Sequence, residues 1–155
     1  KYMATIKPTF SLTANASSAS TPGPLSIALS LSATDALDVT KVESKILDVK
    51  GDHTASDGAG VLWDASDYTA SGDAGTDGAF VYIKNTSSTA GHHIYIGHGS
   101  AAAMQGGANT TRTMTLQGGE FCWLPWDCTQ DIVYDANGDY SNILETWIFV
   151  RTGTA

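Results

Sequence analysis

Alternation with a period of two residues governs what this chain can fold into. From Leu25 to Ser32, Leu25, Ile27, Leu29 and Leu31 alternate with Ser26, Ala28, Ser30 and Ser32, the pattern of a strand with one apolar face and one face of small residues. Residues 3 to 13 repeat it, with Ile6, Phe10 and Leu12 on one side and Thr5, Lys7, Thr9 and Ser11 on the other. Pro8 falls on the apolar side and marks an edge strand or a bulge. Between these two stretches, Asn15 to Gly23 is rich in turn formers throughout and reads as a loop.

The same period recurs to the end of the chain. Val39 to Val49, stopped by Gly51, fits a bulged strand or a short helix, the strand being favoured, and Ala79 to Asn85 reads as a central strand, with Phe80 and Tyr82 opposite Val81 and Ile83. His92 to Gly97 is the returning strand of that hairpin. Thr111 to Leu116, Asp131 to Asp135 and Ile143 to Arg151 alternate in their turn, and Asn137-Gly138 predicts a tight hairpin turn before the last of them. Ser100 to Ala108 suggests a short helical turn ended by glycine. About nine mostly antiparallel strands with short connections and no long helix predict an all-β chain, a β-sandwich or jelly roll.

At 155 residues the chain fits one domain spanning 1–155. Met3-Ala4-Thr5 would make an ordinary start, so Lys1 and Tyr2, native or not, carry no weight in the fold. Residues 51–78 form a long acidic loop region, with Asp52, Asp57, Asp64, Asp67, Asp73 and Asp77 and no Lys or Arg, interrupted by Val61-Leu62-Trp63 as a short strand.

The apolar anchor is Gly118 to Asp127, which holds two of the four Trp residues and lies beside or around both Cys residues. Its glycines are expected to open a strand, its aromatics to fill the core, and Pro125 to end it. Trp147, in a final strand that is apolar on both faces, is expected in the core, where truncation to Ala costs about 3 to 5 kcal/mol. Cys122 and Cys128 read either as two reduced thiols acting as small hydrophobes or as a small disulfide loop, the first being favoured.

Charge and chemistry narrow the function. A net charge of -8 argues against a phosphate-binding surface, so no nucleic-acid partner is expected. The longest apolar runs, such as Trp147-Ile148-Phe149-Val150, are far short of the roughly 20 residues of a membrane helix, and no signal segment opens the chain. A soluble protein made in a cytoplasm is expected. The sequence has no Gly-x-Ser-x-Gly elbow, no His-Glu-x-x-His and no paired Cys at zinc spacing, so no enzyme activity, catalytic residue, metal site or cofactor is expected. Asp135 to Asp139 imitates the opening of a calcium loop, but Tyr140 and Thr146 stand where glycine and Glu are required. His92 and His98 lie about 20 Å apart along one strand, too far to share one zinc ion.

The order Gly78-Ala79-Phe80-Val81-Tyr82-Ile83-Lys84-Asn85-Thr86, then Ile94-Tyr95-Ile96-Gly97, then Leu116-Gln117-Gly118-Gly119-Glu120-Phe121-Cys122-Trp123-Leu124-Pro125-Trp126, then Asp131-Ile132-Val133-Tyr134-Asp135-Ala136, closing on Leu144-Glu145-Thr146-Trp147-Ile148-Phe149, resembles small β-sandwich virion structural proteins of tailed bacteriophages. The resemblance covers residues 78–150. It implies a non-enzymatic particle component, a capsid decoration or cement protein, or otherwise a head-to-tail or tail component. Its partners would be the major capsid protein or other virion proteins, with copies as a homo-oligomer or bound on the lattice, and its location the virion. A carbohydrate-binding sandwich is the competing expectation, with Trp63, Tyr68, Trp123 and Trp126 as candidate ring-contact or interface residues. Packing in the core or an interface is preferred for these rings, because apolar strand residues flank them.

Overall fold

Alternating sequence becomes strand in the computed structural model, which describes residues 4–7, 9–14, 27–32, 37–52, 58–69, 78–104 and 111–151. Lys1, Tyr2, the loop expected at 15–23, Leu25, Asp57, Asp73 and Asp77 lie outside the described residues. In chain order the elements are β1 (Ala4–Ile6), β2 (Thr9–Ala14), β3 (Ile27–Ser32), β4 (Leu37–Asp52), β5 (Gly60–Trp63), α1 (Ser66–Thr69), β6 (Ala79–Asn85), β7 (Ile94–His98), β8 (Arg112–Leu116), β9 (Phe121–Trp126) and β10 (Ile132–Arg151). One turn of 3-10 helix covers Ala101–Met104. The all-β class follows: every extended element pairs antiparallel where its register is defined.

The chain divides into two compact units, residues 1–39 and 40–155. In the first, β2 and β3 form an antiparallel pair in which Phe10 faces Leu31 and Leu12 faces Leu29. The opening residues of β4 pair with β1 through Val39 opposite Ala4.

In the second unit the strands form a curled antiparallel sheet organised by β10, which at 20 residues is long enough to serve two sets of neighbours. Residues 132–136 pair with β7, and Ile132 to Tyr134 also with β5 on the other edge. Residues 144–150 pair with β6, β6 pairs with β9, and the order there is β4-β10-β6-β9. β8 extends the first group through β7.

The core lies on the concave side of the curl. β6 contributes Ala79, Val81 and Ile83, the last part of β10 contributes Leu144, Ile148 and Val150, and Ile94 and Ile96 of β7 join them with Leu62 and Trp63 of β5. On β6, β7 and β10 each is supplied by the period of two, so one register step would turn the whole row outward, whereas the adjacent Leu62 and Trp63 both reach the core where the β5–β10 register is irregular. Among the described residues Asn85, Asp135, Asn142 and Thr146 are fully buried polar side chains; Thr146 and Asn85 tie strands together, whereas Asn142 Oδ1 receives no hydrogen bond. The Thr146 hydroxyl accepts from Trp63 Nε1 (3.0 Å) and donates to the Tyr82 carbonyl (2.8 Å). Asn85 donates to the carbonyls of His92 (2.8 Å) and Leu116 (3.0 Å) and accepts from the Ser87 N–H, fastening β6 to the following turn and to β8.

Four expectations are corrected here. Asn137-Gly138 is not a hairpin turn but lies inside β10, because the backbone of the segment before β7 holds Asn137 extended. The His93 N–H donates to Asn137 Oδ1, Asn137 Nδ2 donates to the Gly91 carbonyl, and the Asn137 N–H donates to the His93 carbonyl. Pro125 does not end its strand: β9 continues to Trp126, with Pro125 opposite Phe80. The acidic loop region contains ordered structure besides β5, the helical turn α1, and Asp64 caps it by accepting from the N–H (2.8 Å) and hydroxyl (2.7 Å) of Ser66. Trp147 sits on a central strand yet points away from the core, 39% exposed, since the inward places on β10 belong to Leu144, Thr146, Ile148 and Val150.

Candidate functional site

The anchor strand β9 divides its side chains between two environments. Trp126 enters the core, with Cys122 and Leu124 packed against it, whereas Phe121 and Trp123 face out, 54% and 37% exposed. The expectation that the anchor's aromatics fill the core therefore holds for one ring of three. Register explains the rest: Trp147, Tyr82 and Trp123 stand in one row across β10, β6 and β9, and Phe149, Phe80 and Pro125 in the next.

These rings touch one another. Phe80 and Trp123 stack at 5.5 Å with 16° between planes, Trp123 meets Phe149 at 5.3 Å, and Tyr82 lies 6.0 Å from Phe121. The face continues onto β4, where Val42 and the 73% exposed Ile46 occupy the outward positions of the same alternation. Lys84 and Glu145 face each other in the row beyond Tyr82 and Trp147, with Phe121 completing it. Four strands at about 4.8 Å spacing and three alternate rows at about 6.8 Å give an apolar face on the order of 200–300 Å². That is no larger than the largest apolar patch of an ordinary soluble monomer; what distinguishes this face is the clustering of its aromatic rings.

Of the four aromatic residues singled out from sequence, the structure leaves only Trp123 at the surface. Trp63, Tyr68 and Trp126 form an edge-to-face chain in the core, with ring centres 6.1 Å and 5.7 Å apart. Their polar atoms are engaged: Trp63 with Thr146, Trp126 Nε1 with the Gln130 carbonyl (2.9 Å), and the Tyr68 hydroxyl with Glu43 Oε2 (2.5 Å). Lys45 Nζ lies 4.0 Å over the Trp63 ring and donates to the Leu62 carbonyl at 2.7 Å. Burial, then the Glu43 hydrogen bond, pushes the Tyr68 phenol upward, and the same bond holds Glu43 below the usual carboxylate range. Trp63 and Tyr68 cannot meet a ligand without unfolding the core, whereas Trp126, itself almost wholly buried, borders a cavity.

A second feature lies where β7, β9 and β10 end. A cavity of about 660 Å³ opens there, walled by Pro125 and Trp126, with His98, Asp127 and Arg151 as its ionisable groups and Thr129 and Gln130 from the turn after β9. The Arg151 guanidinium lies 4.2 Å over the Phe80 ring, so the ring stack Trp123–Phe80 runs on into Arg151. Asp127 Oδ1 accepts from the N–H (3.0 Å) and hydroxyl (2.8 Å) of Thr129, which hold the carboxylate below its ordinary range. Between them Cys128 takes a left-handed conformation (φ 58°) with its side chain buried.

Both cysteines are free, and burial pushes both thiols up to about 11. Among the described residues no three His, Cys, Asp or Glu side chains gather where a metal ion could be held. No described helix is long and apolar enough to cross a membrane. Sequence reasoning missed the outward row Phe80–Tyr82–Trp147–Phe149 as a surface and missed the cavity. The signal for the first was present, since two strands with large residues on both faces must bury one and show the other. Comparison with protein-family models, with curated proteins and with solved structures gives no match.

Proposed function

We propose that this chain is a non-enzymatic structural component of a tailed-phage particle, a capsid decoration or cement protein that binds the assembled shell through the outer face of β4, β10, β6 and β9. The two strand groups that share β10 are read as the two layers of a sandwich, the architecture the sequence resemblance implies. The observation that carries the proposal is the cluster of exposed rings, with Phe121, Trp123 and Trp147 outermost.

Trp and Tyr set on strands have little conformational freedom to lose on docking, and such residues dominate binding energy at protein interfaces. The face is the size of the centre of a standard interface, which buries about 800 Å² per partner. The partner is a shell protein: Lys84 and Glu145 at the margin offer both signs of charge for setting register against it. The rings pack ring on ring, as a protein interface core does.

The test is binding to purified particles. The wild-type chain is expected to co-sediment at fixed stoichiometry, and a Phe121→Ala/Trp147→Ala double variant that remains folded is expected to lose at least 90% of that binding. Absence of the protein from purified particles by mass spectrometry would sink the proposal. A second reading, glycan binding by the same face, draws on the exposure of Trp123 and Trp147. Saturable Trp fluorescence change with a neutral glycan, abolished in the double variant, would favour it over shell docking.

A further inference from the structure

We propose that the cavity at the ends of β7, β9 and β10 is a binding site for a sugar acid, a small hydroxyl-rich molecule carrying one carboxylate. The site borders the shell-docking face through Phe80 and Pro125, but the proposal does not rest on that docking.

Size comes first. About 660 Å³ falls within the range of small-molecule sites and is far more than one protein side chain fills. The charge pattern then selects the ligand. Arg151 lies over the Phe80 ring, and Phe80 in turn stacks with Trp123. The Arg151 Nε is buried and finds no acceptor among the described residues, and no carboxylate there forms an ion pair with it. The buried Nε is out of a ligand's reach, so a carboxylate in the cavity would meet the terminal N–H groups of the guanidinium, which can bind it bidentately end-on.

Asp127 argues against a more highly charged anion. Its carboxylate lines the same cavity and is kept ionised by Thr129, so a phosphate or sulfate placed beside Arg151 would meet a like charge. Towards hydroxyl groups the same carboxylate is a strong acceptor. The His98 ring and the Gln130 amide both donate and accept, and Pro125 and Trp126 supply apolar wall. One fixed cation, one fixed acceptor and amphoteric groups around a partly apolar cavity match a uronic acid unit better than a neutral sugar or an inorganic anion.

The experiment is calorimetric titration of the whole chain with disaccharides of glucuronic, galacturonic and mannuronic acid, alongside their neutral hexose counterparts and inorganic phosphate. At least one uronate is expected to saturate, with the neutral counterpart and phosphate weaker by about tenfold or more, the loss of a charge-assisted hydrogen-bond pair. Arg151→Gln is expected to reduce uronate affinity by a similar factor. Arg151→Lys, which keeps the charge and the stem over Phe80 but not the fork, should fall between. Trp147→Ala should leave the affinity unchanged. The proposal is overturned if no uronate saturates, if the neutral sugar or phosphate binds as well, or if folded Arg151→Lys and Arg151→Gln both bind like the wild type.

Discussion

Trp63 and Trp147 lie on opposite sides of the same curled sheet, and truncating each to Ala separates the core from the contact face. Trp63 is fully buried. A Trp side chain covers up to about 250 Å², and at about 25 cal/mol per Å² its burial is worth at most about 6 kcal/mol. Realistic unfolded chains lower that figure, and core Trp→Ala changes cost about 3 to 5 kcal/mol. The upper end is expected here. The edge-to-face contact with Tyr68 and the position of Lys45 over the ring are lost together, and the hydrogen bond to Thr146 goes with them. Thr146 is not orphaned, since its hydroxyl still donates to the Tyr82 carbonyl. For Trp147, 39% exposed, the covered area is smaller and water fills the space left behind, so no cavity forms. The expected cost is about 1 to 2 kcal/mol. Guanidinium unfolding followed by circular dichroism, which does not depend on the Trp removed, should show unfolding free energies separated by at least about 2 kcal/mol at equal slope. Equal losses for the two variants would refute the assignment of inner and outer faces.

Other outcomes follow from single contacts. Asn85→Ala removes two donated hydrogen bonds and one accepted, leaving the His92 and Leu116 carbonyls and the Ser87 N–H without that partner, and should cost about 2 to 4 kcal/mol in the same assay. Gly97→Ala places a Cβ 2.2 Å from the Thr111 carbonyl oxygen and 2.7 Å from Met104 Sδ, so it should destabilise by more than about 2 kcal/mol, whereas Gly91→Ala, with open space around it, should be near neutral. The Glu43 carboxyl is held low by Tyr68, so its contribution is present above the ordinary glutamate range and is lost as pH falls through the lowered folded value; the acid-side loss of stability should be smaller in Glu43→Gln. Each buried thiol, raised from 9.0 to about 11, carries about a hundredfold less thiolate near pH 8, so alkylation of Cys122 and Cys128 should be slower by at least that factor in the native state than in urea. The raised thiol values also mean that stability declines as pH climbs through the ordinary thiol range, because the unfolded chain loses those protons first.

The all-β class was legible because alternation is a local property: Ala79 to Asn85 and Leu144 to Val150 dictate strands whatever surrounds them. Which face turns inward was not legible for those two strands. Phe80, Tyr82, Trp147 and Phe149 are as apolar as Val81, Ile83, Leu144 and Ile148, so hydropathy gives both faces the same sign. The decision was made by volume and by partners: the branched aliphatic row interdigitates across the curl, and Thr146 joins it only because Trp63 supplies a hydrogen bond from β5. Asn137-Gly138 was misread for a related reason. Its local preference is a turn, but three hydrogen bonds from residues 91–93, some 45 positions earlier, hold it in a strand.

The same non-local logic explains why the anchor does two jobs. Residues 121–126 alternate like any strand, so pairing with β6 sends Cys122, Leu124 and Trp126 inward and Phe121, Trp123 and Pro125 outward. Because β6 repeats the arrangement and β10 repeats it again, three independent alternations add into one outward surface. The register that aligns Trp147, Tyr82 and Trp123 also aligns Phe149, Phe80 and Pro125, and so sets Arg151 over Phe80 at the mouth of the cavity. A slip of one residue in β9 would bury Trp123, expose Trp126 and remove a wall of the cavity at once. Core, contact face and cavity therefore share a single determinant, the register of β9 on β6.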